Sequence, residues 1–259
     1  MQGVFFTKIV PRGRNIGGGM AEKFVAVDIE TTGLNPTTER IIEIGAVSVE
    51  NGKITGEFDM LINPGRQLSS FITGLTGITD AMLENALTIQ EALPHFLEFV
   101  GEDILLGHHL SFDYSFLKKN IVNIRGNFER LGMDTLKIAR KALPGLESYS
   151  LSSLCGHYHI KNVHAHRACD DARATVELYF CLKEECYGKG IDSLFAPKQL
   201  ICRVKKESPI TDAQVKYLYA LLDYHKIDLK IQAESLTKSE ASRIIDGIIL
   251  NYGKIPGRR

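Results

Sequence analysis

Residues 24–29 (FVAVDI) form a nearly continuous apolar run that closes on carboxylates, the pattern of a strand buried on both faces. Residues 41–49 (IIEIGAVSV) and 53–62 (KITGEFDMLI) flank Asn51-Gly52, a dipeptide suited to two-residue hairpin turns, so they predict an antiparallel pair that Pro64-Gly65 ends. From there the apolar period lengthens. Residues 79–85 and 89–100 have helical spacing; Leu93, Phe96, Leu97 and Val100 share one stripe, and Pro94 is expected near the first turn of its helix. Ile104-Leu105-Leu106 predicts a short buried strand ending at Gly107, and Ser111 opens a helix carrying Phe112, Phe116 and Leu117. Met133-Asp134 ends a fifth strand, and helices are expected over 135–143, 150–158 and 167–187. Three strands, a strand–helix–strand alternation and then helices predict an α/β fold with a mixed five-stranded sheet flanked by helices.

Residues 191–207 read as a connector. Beyond it, Thr211-Asp212-Ala213-Gln214 and Thr237-Lys238-Ser239-Glu240 are two capping-box patterns, each opening an apolar-periodic helix. The predicted organisation is therefore an N-terminal extension (1–20), a main domain (21–190), a linker (191–207) and a small helical module (208–255). About fifty residues make a small core, so the module is expected to dock on the main domain or on a partner.

Composition narrows the class. With 44% apolar and 24% charged residues, and no apolar run near the roughly 18–20 residues that span a bilayer, a soluble cytoplasmic protein is expected, with no membrane partner. Five cysteines in unpatterned positions fit reduced thiols. Net charge is zero but uneven: residues 200–259 hold 11 Lys/Arg against 7 Asp/Glu, and residues 1–20 hold three basic residues and no acid. The remainder carries −7, and an acidic body that handles a polyanion needs bound cations.

The candidate chemistry lies in that acidic body. Asp28 and Glu30 end an apolar strand, Asp113 lies in LLGHHLSFDYSFL, and His166 and Asp171 lie in AHRACDDARAT. Asp28 and Glu30, two apart, share a strand face; Asp113 falls in a first helical turn; His166 precedes or opens a helix and Asp171 sits one turn inside it. The set is expected to converge at one edge of the sheet. Asp170 is expected to face solvent. Hard oxygen ligands suit Mg²⁺ or Mn²⁺, and a lone histidine titrates near neutral pH. Cys155, His157, His159, His164 and His166 crowd one stretch, yet no CxxC or HxxxH pair occurs there, which argues against zinc.

VAVDIETTGL, GHHLSFDYSFL and AHRACDDA together resemble the three motifs of DEDDh 3′–5′ exonucleases in the ribonuclease H-like superfamily, with most similarity to the epsilon-type proofreading exonucleases of bacterial replicative polymerase III. The resemblance spans about residues 23–187 and includes RIIEIGAV, LINPG, LTGITDAML and MDTLKIARKALPG. It implies a ribonuclease H-like sheet, two divalent metal ions (Mg²⁺ or Mn²⁺) held by Asp28, Glu30, Asp113 and Asp171, and His166 as the general base. It also implies that Thr31, Thr32, Gly33, Leu75, Thr76 and Phe112 face the 3′-terminal nucleotide, while turn-and-cap roles serve equally for Leu75 and Thr76. Glu43 matches a family position with a supporting role. The family has His-Asn where this chain has His108-His109. The implied partner is a single-stranded or frayed 3′ end of DNA, with RNA trimming as the alternative and a non-catalytic nucleic-acid-binding protein as a further one. At 259 residues the chain leaves no room for a polymerase, so proofreading would need a polymerase subunit in trans; repair or end-trimming would not. The C-terminal module is similar to a small helical module appended to various bacterial and phage proteins.

Overall fold

The computed structural model describes residues 22–162, 165–204, 208–228 and 233–256. The N-terminal extension and His164 lie outside them.

The 24–29 run becomes the central strand of the sheet. β1 (Lys23–Thr31) pairs antiparallel with β2 (Ile41–Glu50), and β2 with β3 (Lys53–Asn63) around Asn51-Gly52. Both turn residues take positive φ (52° and 73°), the backbone of a type I′ hairpin. On its other side β1 pairs in parallel with β5 (Ile104–Gly107), and β5 with β6 (Leu131–Asp134). The five expected strands are thus the centre of the sheet. Two-residue strands lengthen it at each edge, β4 (Leu87–Thr88) beside β3 and β7 (Lys198–Gln199) beside β6, giving the order β4-β3-β2-β1-β5-β6-β7.

Strand parity sorts β1 into two cores. Val25, Val27 and Ile29 pack with α3 (Ile89–Val100) and α4 (Ser111–Asn123), which contribute Phe96, Phe116 and Leu117. Phe24 and Ala26 face the opposite layer, built from α5 (Thr135–Ala142), α6 (Leu151–Tyr158) and α7 (Ala168–Cys186) through Ile138, Leu154, Ala172 and Val176. Full burial of an Ile, Leu or Phe side chain contributes about 1.5–3 kcal/mol, so a strand buried on both faces fixes the register of the whole sheet.

Two differences from the sequence-based expectations have physical causes. Pro94 lies in the second turn of α3, not the first. It and Gln90, whose carbonyl it deprives of a partner, are both exposed, so solvent can serve that oxygen. A further helix, α1 (Ser70–Thr76), is capped by Ser69 and ended by Gly77 at φ 71°, and α2 (Asp80–Leu83) follows with Thr79 as its cap.

The 191–207 segment is more than a tether. A 3-10 turn (Asp192–Phe195) buries Phe195, and the Leu200 N–H donates to the Arg130 carbonyl at 2.9 Å, fastening the segment to the sheet edge. Beyond it, α8 (Asp212–His225) and α9 (Lys238–Tyr252) pack around Leu218, Leu221, Leu236, Ala241 and Ile245, and both capping boxes form as the sequence indicates. Among the described residues, no helix is long and apolar enough to cross a membrane.

Candidate active site

Past Ala26 the even face of β1 changes from apolar to acidic. Asp28 and Glu30 continue the line of Phe24 and Ala26 and are half-buried beneath the start of α7. The strand outruns its parallel neighbour here: β5 pairs with β1 only as far as Ala26↔Leu106. The Ile29 N–H is left free of that ladder and donates to Oδ1 of Asp113 at 3.2 Å. Asp113, buried in the first turn of α4, is thereby drawn from the opposite layer to the strand end. The pairing of β1 with β2 slips between Glu30 and Thr31, a bulge that re-aims the chain directly after the second acid. The acids therefore meet at the carboxyl end of a central strand, in the middle of the strand order, and not at a lateral edge of the sheet.

α7 supplies the remaining groups. Asp171 is buried; its Oδ2 accepts the His166 N–H at 3.0 Å and its Oδ1 accepts the Asn162 amide at 2.5 Å. His166 itself is exposed and takes φ 66°, a left-handed backbone that turns the chain into the helix. Donor atoms of Glu30, His166 and Asp171 lie within 4.8 Å of one another. Asp170 points away, to Arg173.

Two features of β2 hold the α7 end in place. Glu43, paired across from Glu30 and fully buried, accepts from Arg167 Nη2 at 2.6 Å and Nε at 2.9 Å, and from the Ala168 N–H at 2.9 Å. A carboxylate on the first free N–H groups of a helix satisfies them and complements the helix dipole. Gly45, across from Asp28, lets the helix backbone press onto the strand: a Cβ there would lie 2.2 Å from the Ala168 carbonyl carbon. Gly45→Ala is therefore expected to destabilise the protein by about 1–3 kcal/mol through overpacking, read as a lower denaturation midpoint. An unchanged midpoint would show that the helix yields freely.

The electrostatics are those of crowded anions. Burial pushes the Asp28 carboxyl well above its ordinary range, and the nearby charges of Asp113, Asp171 and Glu30 push it further. Burial, then Asp171 and Glu43, raise Glu30 to about 8. Asp113 and Asp171 are also raised, chiefly by burial. Such a cluster of hard oxygen donors is short of positive charge, and divalent cations fit it in kind.

The residues implied as substrate contacts are more mixed. Thr31 is buried and its hydroxyl donates to the Gly33 carbonyl at 2.7 Å; Thr32 donates to Glu39 at 2.6 Å. Leu75 is 41% exposed on α1, available for an apolar contact. Thr76 is buried, donating to the Ile72 carbonyl and accepting from the Ile78 N–H, which is a helix-closing role. Phe112 is half-buried between His109 and Phe116. His109 takes φ 69°, a left-handed backbone that both His and Asn tolerate. Its neighbour His108 is held by Thr135 and the Tyr149 carbonyl, and burial lowers its pKa. Of the cysteine–histidine stretch, Cys155 is buried in the core with its thiol pushed up to about 11, the opposite of a metal-binding thiolate.

Residues 25–179 match the Exonuclease (RNase_T) family model. The chain belongs to the exonuclease family. It is an exonuclease homologous to the epsilon subunit of DNA polymerase III and to part of the PolC-type polymerases. The epsilon subunit of DNA polymerase III from Aquifex aeolicus is 41% identical over 179 residues, covering 68% of this chain and 89% of that one. A PolC-type DNA polymerase III from Caldanaerobacter subterraneus is 33% identical over 239 residues, or 88% of this chain, but the exonuclease spans only 17% of that much longer protein. Among solved structures, exonuclease X in complex with 5′ overhanging duplex DNA aligns with TM-score 0.53 and 26% identity, over 67% of this chain and 97% of that one. The nuclease domain of 3′hExo bound to rAMP, at 18% identity and TM-score 0.58, shares the fold over 71% of this exonuclease and all of that domain. Exonucleases of this fold use divalent metals.

Asn162, Arg167 and Gly45 were not singled out by the sequence reasoning. Asn162 and Arg167 act through pairings with residues adjacent in space but separated in sequence, at spacings that carry no signal. Only Gly45, a glycine inside an otherwise apolar strand, carried a signal of close backbone approach.

Proposed function

We propose that this exonuclease removes nucleoside 5′-monophosphates from single-stranded or frayed 3′ ends of DNA. The observation that carries the reading is the approach of Glu30 on β1 to His166 and Asp171 at the start of α7, their donor atoms within 4.8 Å of one another, with Asp28 beside them in the field of Asp113, Asp171 and Glu30. The four carboxylates would hold two divalent ions, Mg²⁺ or Mn²⁺, which supply charge neutralisation at the reacting phosphate and the leaving oxygen. His166 takes the proton of the attacking water; its exposure lets the proton pass on to solvent. Glu43 and Asn162 orient the Asp171 end of α7, while Thr31, Thr32 and Gly33 approach the terminal nucleotide. The Aquifex relative is by name a polymerase subunit, which favours DNA and a polymerase partner in trans, in the cytoplasm.

Matched single-stranded DNA and RNA oligonucleotides test the substrate class. The expected result is kcat/KM at least about tenfold higher for DNA, with the 2′-hydroxyl as the group by which the site tells RNA from DNA. Equal or faster digestion of RNA would move the protein to RNA trimming, and no hydrolysis with either ion would make it a binding protein.

A further inference from the structure

The C-terminal helices touch the nuclease at the loop that follows its metal-binding acids. Thr32–Arg40 leaves β1 and returns into β2, so it lies at the same end of the sheet as Asp28 and Glu30. Arg40 brackets Thr32 from both sides: its carbonyl accepts the Thr32 N–H at 2.8 Å, and its own N–H donates to the Thr32 hydroxyl at 2.9 Å. Beside it, Arg66 donates to the Thr38 carbonyl at 3.1 Å and lies 4.0 Å from Glu39, the residue that receives the Thr32 hydroxyl. Gly33 packs on that same Glu39 side chain. Two guanidinium groups thus stand side by side under the substrate loop; burial and the Arg40 charge lower the pKa of Arg66.

The anion set between them comes from α9. Glu240, 4% exposed, accepts from Arg40 Nη2 at 2.8 Å and lies 3.9 Å from Arg66 Nη2. Its Oε2 also accepts from the Thr237 N–H at 2.9 Å and hydroxyl at 3.0 Å, so one carboxylate both caps α9 and binds the nuclease. Among the described residues, the polar contacts between the C-terminal unit and the body meet at this group. A buried carboxylate with a partly buried arginine on each side is a built contact, not a surface pairing whose loss is nearly neutral.

We propose that Glu240 is a positioning residue of the exonuclease: the C-terminal helical unit, docked through Arg40 and Arg66, holds the Thr32–Arg40 loop in the shape that receives the terminal nucleotide. This rests on the reading of Thr32 and Gly33 as substrate contacts. Among the described residues the unit makes no hydrogen bond or ion pair with the metal-binding acids, so its influence falls on substrate binding and not on the chemical step.

A double-mutant cycle in the full chain tests it, with kcat and KM measured on a single-stranded DNA 20-mer. Glu240→Gln keeps the capping box, in which Gln also serves, but removes the charge. It is expected to raise KM about fivefold or more, the low end of ordinary coupling between sites, with kcat within about twofold. Arg40→Met, which leaves the α9 cap untouched, is expected to raise KM likewise, and the double variant no further than Arg40→Met alone. An unchanged KM in Glu240→Gln overturns the proposal, as do two effects that simply multiply. A rise in kcat/KM overturns it too and makes the carboxylate a competitor of the substrate's phosphates. Thr32→Val in parallel separates the causes: a raised KM there with none in Glu240→Gln defeats the docking role alone, whereas no change in either defeats the reading of the loop.

Discussion

Replacing His166 by Asn is expected to lower kcat on a DNA 3′ end by about 10²–10⁴-fold, the usual cost of losing a positioned general base, with KM and melting temperature nearly unchanged. The separation of effects follows from how the residue is built in. Its backbone N–H, not its ring, holds Asp171, so the carboxylate stays in place when the ring is removed. Its backbone takes φ 66°, where Asn is tolerated and Ala would add strain of about 1–2 kcal/mol. The ring is exposed and packs into no core. Steady-state kinetics with a thermal melt of the same preparation decide the matter: near-normal kcat removes His166 as the base, and a matching loss of stability makes its role structural.

Metal removal is expected to reverse the ordinary pH dependence of carboxylate stability. A native carboxylate held by a partner stabilises at neutral pH; here folding raises Glu30 from 4.5 to about 8, with Asp28, Asp113 and Asp171 raised as well. A group whose folded pKa is raised binds more protons in the native state. Its contribution is whole below about pH 4.5 and is lost as pH climbs through about 8. The metal-free protein is therefore expected to melt at progressively lower temperature across that window. Divalent ions at about 100 times their dissociation constant stabilise by roughly 2.7 kcal/mol, raising Tm by about 5–10 °C at pH 8 in a protein of this size. At pH 5, where protons compete for the same oxygens, the gain should be much smaller. Calorimetry with EDTA and then Mn²⁺ at the two pH values checks this; a flat metal-free profile with equal gains would mean that the acids do not share one field.

The parts of this molecule legible in its sequence are those set by local pattern. The doubly buried β1 follows from FVAVDI, the hairpin from Asn51-Gly52, and α3 from the stripe through Phe96 and Val100. α1 carries no helical signal in its sequence: seven residues containing Gly74 and the β-branched Ile72, Thr73 and Thr76 have poor intrinsic helicity, and packing of Ile72 against Ile42 and Ile78 makes the difference. The two-residue edge strands leave no periodic trace at all. At the site, residue types and strand parity identified which acids could meet, but not that they do so at a strand end exposed by the early finish of β5. Nor could spacing reveal Asn162 on Asp171, Arg167 on Glu43, or Glu240 on Arg40, because each pairing is made by folding between segments that no short-range rule connects.

The distribution of the site along the chain has a consequence during synthesis. Asp28, Glu30 and Asp113 precede α7 along the chain, and so do the strands β1 to β6. His166 and Asp171 arrive only with the start of α7, whose docking needs Glu43 and Gly45 already in place on β2. A nascent chain therefore holds no complete nuclease centre until the strands that carry its first acids and seat α7 have been made, so the order of the elements alone delays the assembly of the site.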